Sequence, residues 1–139
     1  MKKSALINSE LSYLAATMGH TDEITICDAG LPIPDANQRV DLALIPGVPT
    51  FIETVKALLS EMAVEGVVIA EEFQQVSPNH HQELMALLDN EQSQTGKKIR
   101  ITYLPHEDFK TQTAHSKAIV RTGEFTPYAN VIFQAGVVF

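Results

Sequence analysis

Gly19-His20-Thr21-Asp22-Glu23-Ile24-Thr25-Ile26-Cys27-Asp28-Ala29-Gly30-Leu31-Pro32-Ile33-Pro34 is the stretch whose reading decides the fold. It predicts a helix stop, a short strand and a Gly/Pro-rich loop. Ile24, Ile26 and Asp28 share one face of an extended segment, and Thr25 and Cys27 the other. Asp28 therefore continues an apolar row. A carboxylate in that register is either partnered or functional, because burying an unpaired charge is expensive. His20 stands just before the strand, and the prolines at 32 and 34 hold the following loop extended. His20 and Asp28 are the first two candidates for chemistry.

Working outward, Asn8 or Ser9 is expected to cap a first helix, with Ile7, Leu11, Leu14, Ala15 and Met18 on its buried face. Gly19 suits the left-handed position past its last turn. Val40 to Ile45 reads as a second strand. Thr50 caps a second helix that is expected to bury Phe51, Ile52, Val55, Leu58, Leu59 and Met62. Val67 to Ala70 is a continuous apolar run, the pattern of a strand covered on both faces. Ser77-Pro78 starts a helix that runs to about Glu91. Lys98 to Leu104 alternates as a half-buried strand, and His106 opens a short helix. Ala118 to Val120 is a brief strand, and Tyr128 to Phe139 a long closing one with Gly136 as a bulge. Helices and strands alternate, which predicts a three-layer α/β/α domain with a largely parallel central sheet.

At 139 residues a single domain is expected. Seventeen acidic against ten basic residues give a net charge of −7. That balance argues against a nucleic-acid or anionic-membrane surface, both of which need clustered Lys and Arg. Cys27 is the only cysteine, so no internal disulfide and no zinc–cysteine cluster can form. Asn8, Ser9 and Glu10 interrupt the apolar stretch that a signal peptide would need after Lys2-Lys3, and no run is long enough to span a membrane. A cytoplasmic protein is expected.

Of the five histidines, His80 and His81 lie early in a polar helix and His115 in a polar stretch, so all three read as solvated. No HExxH occurs, and no metal site is predicted. Neither a P-loop, a GxGxxG nor a GxSxG elbow is present. Cys27 reads as a core thiol. His106 stands at an element boundary, where α/β folds gather their sites. Its ring can donate one hydrogen bond and accept another. Tyr128 and Asn130 fall on one face of an extended segment, a phenol and an amide suited to hydroxyl recognition. Pattern alone leaves open whether each of these groups is a ligand or simply a loop cap.

These motifs, together with Glu61-Met62, Val64-Glu65, Glu71-Glu72, His106-Glu107, Phe109-Lys110, Arg121-Thr122-Gly123-Glu124 and Pro127-Tyr128-Ala129-Asn130, resemble the ribose pyranase/fucose mutarotase family across the whole chain. The resemblance implies cofactor-independent interconversion of the β-pyranose and β-furanose forms of D-ribose. A fucose mutarotase and a non-catalytic sugar-binding or regulatory module are the alternatives. It implies His20 as proton donor, with Asp28, His106, Tyr128, Ala129 and Asn130 binding the sugar. It also implies assembly into rings, a decamer of two stacked pentamers with sites between subunits. His20 can then belong to a different chain from Tyr128 and Asn130.

Overall fold

The computed structural model describes residues 1–139 as a six-stranded sheet flanked by five helices. In chain order the elements are α1 (Ser9–Thr17), β1 (Glu23–Cys27), β2 (Gln38–Asp41), α2 (Phe51–Leu59), β3 (Val64–Ala70), α3 (Glu71–Val76), α4 (Pro78–Thr95), β4 (Arg100–Leu104), α5 (His106–Thr113), β5 (Ala118–Arg121) and β6 (Val131–Ala135). The strand order is β2-β5-β1-β6-β3-β4. Five strands run the same way. Only β6 is reversed, antiparallel to both β1 and β3. The expected largely parallel sheet is therefore present, with one inverted strand at its centre.

Alternation along the strands divides the core in two. Ile24, Ile26, Val67, Ile69, Val131 and Phe133 face a 24-residue cluster completed by Leu11, Leu14, Phe51, Leu58, Phe73, Leu84 and Leu88 from the first four helices. Cys27, Val68, Ala70, Ile119 and Ile132 face the other way, into a seven-residue cluster closed by Phe109 of α5 and Leu31. The two helical layers are unequal: four helices cover one face and one helix the other.

Local chemistry explains most boundaries. Asn8 Oδ1 accepts the Leu11 N–H and starts α1. Thr50 and Glu53 form a reciprocal capping box at α2. Pro78 occupies the first turn of α4, and Gly96 ends it at φ 70°. Several expectations need correction. Gly19 is not the left-handed residue: α1 ends in extended Met18, and the positive φ falls on Thr21, at 69°. Ile7 is exposed rather than packed. The second strand starts and ends earlier than expected, and α4 runs one turn longer. The closing strand is only five residues, and the bulge lies across from Gly136 in β3. There, Val64 pairs with Ala135 but Gly66 pairs with Gln134, which leaves Glu65 as the extra residue. His81 is buried, with its Nε2 2.6 Å from the Tyr103 hydroxyl and its ring edge-on to Phe73. His80 bonds the Thr126 hydroxyl. No helix is long and apolar enough to cross a membrane.

Candidate active site

Parallel strands deliver their C-terminal ends, and the loops that follow, to one edge of a sheet. Here that edge gathers Asp28 after β1, Glu72 in α3 after β3, His106 after β4, Glu124 after β5 and, because β6 is reversed, Asn130 just before it. Asp28 and Asn130 form a reciprocal pair. The Asp28 backbone N–H donates to Asn130 Oδ1 at 2.8 Å, and Asn130 Nδ2 donates to Asp28 Oδ2 at 3.1 Å. Gly30 N–H donates to Asp28 Oδ1 at 2.9 Å. Asn130 and Ala129 are fully buried. Burial pushes the Asp28 carboxyl above its ordinary range, opposed by the Gly30 N–H, the Asn130 amide and the nearby His106.

His106 is anchored through its backbone. Its N–H donates to the Glu72 carboxylate, at 3.0 Å to Oε2. Its ring meets Tyr128 edge-on, with centroids 4.9 Å apart. His106 Nδ1 is buried without a partner in the chain. Such an atom is costly unless a ligand satisfies it. Tyr128 is not extended, as the sequence suggested, but left-handed at φ 63°. A bulky residue rarely adopts that region, and such backbone strain concentrates at ligand sites. The segment before it is firmly held. Thr126 Oγ1 donates to buried Glu124 at 2.6 Å, and Ser77 Oγ donates to the Pro127 carbonyl at 2.9 Å. Glu124 also accepts the first N–H of α2.

Beside Asp28 a cavity of about 360 Å³ is lined by Gly30, Arg121, Glu124 and Thr126 among others. Its one cation, Arg121, is engaged by Asp41 at 3.2 Å and by the Ala29 carbonyl. Cys27 lies behind Asp28, fully buried, and burial pushes its thiol up, as expected of a core thiol. No three His, Cys, Asp or Glu side chains come together as a metal site would require.

The structure thus brings together Asp28, His106, Tyr128, Ala129 and Asn130. It does not bring His20 to them. His20 precedes β1 and lies at the opposite sheet edge, about 17 Å away along a five-residue strand. Asp28 therefore cannot hold the His20 ring within one chain. His20 Nε2 instead lies 2.8 Å from Glu65 Oε2. Nor does Asp22 orient it: Asp22 pairs with Lys117 at 2.9 Å and accepts the Gly19 N–H. Sequence reasoning assigned no role to Glu72, Glu124, Thr126 or Glu65. Their acidic pairs and turn motifs were visible, but the partners of Glu72, Glu65 and Glu124 lie 34, 45 and 73 residues away.

Residues 1–138 match the model of the RbsD / FucU transport protein family, and the chain belongs to that family. It is 72% identical over its full length, and that of the relative, to the D-ribose pyranase of Photobacterium profundum. Among solved structures it superimposes on Bacillus subtilis RbsD complexed with D-ribose, with a TM-score of 0.90 and 47% identity over all of both chains. The fucose mutarotase of Streptococcus pneumoniae in complex with L-fucose is more distant. Its TM-score is 0.71 at 26% identity, over 97% of this chain and 96% of that one.

The raised carboxyl of Asp28 carries a stability prediction. A carboxyl whose pKa rises on folding binds its proton more tightly in the native state, so its contribution is full below 3.8 and falls as pH rises through the native value. Thermal melts of wild type and Asp28→Asn across that window are expected to move in the variant's favour with rising pH. A melting difference that is flat with pH would contradict the desolvation of the Asp28 carboxyl.

Proposed function

We propose that this chain is a sugar ring-form isomerase that interconverts the β-pyranose and β-furanose forms of D-ribose. The observation that carries the reading is the cluster of Asp28, Asn130, His106 and Tyr128. It sets a half-buried carboxylate at the cavity edge, the amide that holds it, and beside them an open imidazole nitrogen and a phenol, and the cavity's only cation is already paired. Such a set suits a neutral polyol, whose hydroxyls both donate and accept. The 72% identity to a D-ribose pyranase and the 47% identity to a protein solved with D-ribose bound, against 26% to the fucose mutarotase, favour ribose.

Ring opening moves two protons. The anomeric hydroxyl gives up its proton to solvent water as the carbonyl forms. The bond from the anomeric carbon to the ring oxygen breaks, and that oxygen takes a proton from an acid. The open-chain aldehyde then turns, and a different hydroxyl closes the second ring by the reverse steps. His20 is the acid, since a protonated imidazole can give up a ring proton and take it back. Asp28 and Asn130 hold sugar hydroxyls, His106 Nδ1 takes another, and Tyr128 with the Ala129 backbone closes one side.

In this reading, His20 of one chain completes the Asp28 cluster of another, within a decamer of two pentameric rings. Two observations support assembly. The two halves of the machinery lie at opposite sheet edges. Beside the cavity, Leu44, Ile45 and Phe125 expose an apolar concavity. We read the 139 residues as one domain, built on the single sheet, with a small sugar rather than a nucleic acid or membrane as partner. The lone unpaired thiol suits the cytoplasm.

NMR saturation transfer between the ring forms of D-ribose tests the function. Exchange between pyranose and furanose signals is expected to accelerate with catalytic amounts of protein, and that of L-fucose far less. Binding of ribose without faster exchange would identify a sugar-binding module instead.

A further inference from the structure

The pairing of His20 with Glu65 spans 45 residues of sequence and two strands of the sheet. Four features converge on it. Glu65 is the extra residue of the β3 bulge, and bulges re-aim a side chain beside functional sites. Gly136 of the facing segment lets the backbone of Glu65 approach: a Cβ there would stand 3.1 Å from that of Glu65. The residue after His20, Thr21, holds a left-handed φ of 69°, and its N–H donates to the Ala135 carbonyl at 2.8 Å. Asp22 returns the bond, its carbonyl accepting the Ala135 N–H at 2.8 Å. The turn that carries His20 is thereby fastened to the strand end opposite the bulge that carries Glu65. A salt bridge between two half-exposed side chains is worth little as stability. The backbone around this one is nevertheless shaped at three places to keep the two side chains together.

We infer that Glu65 is a positioning residue for His20, fixing its tautomer and ring orientation so that Nδ1 is the atom that exchanges protons with the sugar. An ionised carboxylate accepts but does not donate, so the contact requires a proton on Nε2. Nδ1 is then the free position. It carries the donated proton when the ring is charged and accepts one back when the ring is neutral. The inference rests on His20 being the proton donor proposed above.

The test uses the full chain as wild type, Glu65→Gln, Glu65→Ala and His20→Ala. Ring-form exchange is measured at several ribose concentrations, and the His20 tautomer by nitrogen-15 NMR. Loss of an orienting partner of this type costs on the order of 10–100-fold. We expect Glu65→Ala to lose that much in kcat, with KM little changed and the Nε2–H tautomer less populated than in wild type. Glu65→Gln offers an amide oxygen in the same place. It is expected to keep the tautomer and most of kcat, and as a near-isostere to keep the fold. Wild-type kcat and tautomer in Glu65→Ala, with His20→Ala inactive, would overturn the role of Glu65 alone. A loss in Glu65→Gln as deep as in Glu65→Ala, with the tautomer intact, would also overturn it. Normal exchange in His20→Ala would overturn the proton-donor assignment and this inference with it.

Discussion

His20→Ala is expected to abolish enzymatic exchange of ribose ring forms while leaving ribose binding in place. The imidazole is the only group assigned a proton transfer, and general acid–base catalysis of this kind contributes about 10²–10⁴-fold. Its removal should return exchange close to the uncatalysed rate in saturation-transfer spectra. Affinity should hold, because the hydroxyl-binding groups sit at the other sheet edge and share no hydrogen bond with His20. The fold should hold as well, since the side chain is more than half exposed. A variant that exchanges ribose as fast as wild type would remove His20 from the mechanism.

The second large effect is a rescue. Asp28→Ala removes the carboxylate that accepts from Gly30 and Asn130, so it is expected to lose ribose binding and with it activity. Each variant alone is then inactive for a different reason. Mixed, unfolded and refolded together, the two should regain activity. Some sites will join an intact His20 edge from one chain to an intact Asp28 edge from another. If each chain housed a whole site, no mixture of the two could be active. The complementation assay therefore separates a shared site from a self-contained one, and a sizing column run on the same samples reports whether the variants still assemble.

Much of the fold was legible in the residues themselves. Asn8, Thr50 and Pro78 mark helix starts by chemistry that acts within a few residues, and the structure uses each of them. Other features had no local signal. The helix at Glu71–Val76 follows β3 directly, with Ala70 at its cap and no side-chain cap bond, so nothing separates it from the strand. Tyr128 carries a left-handed φ that a sequence reader assigns to Gly or Asn. His81 looks polar, yet its single partner, Tyr103, lies 22 residues on and lets it be buried. The site divides the same way. Asp28 was visible because a carboxylate continued an apolar row. Its partner Asn130, 102 residues away, was reached by residue type and by resemblance rather than by geometry. That His20 and Asp28 flank opposite ends of one strand was legible; that His106 and Asn130 gather at the Asp28 end was not, because it follows from strand direction, which pattern does not give.

The reversed strand β6 has a mechanical meaning. It begins at Val131, next to Asn130 and the Asp28 cluster, and ends at Ala135, where the His20 turn is fastened. It is hydrogen-bonded on both sides and buried along its length except at Gln134. Strands of this kind are the last to open in local fluctuations. The five residues act as a rigid gauge between the two working ends of the chain. Loops can shift around either end, but the span between them does not. In the shared site proposed above, the distance from His20 to the sugar would then be set by how neighbouring chains are placed, not by how any one of them flexes.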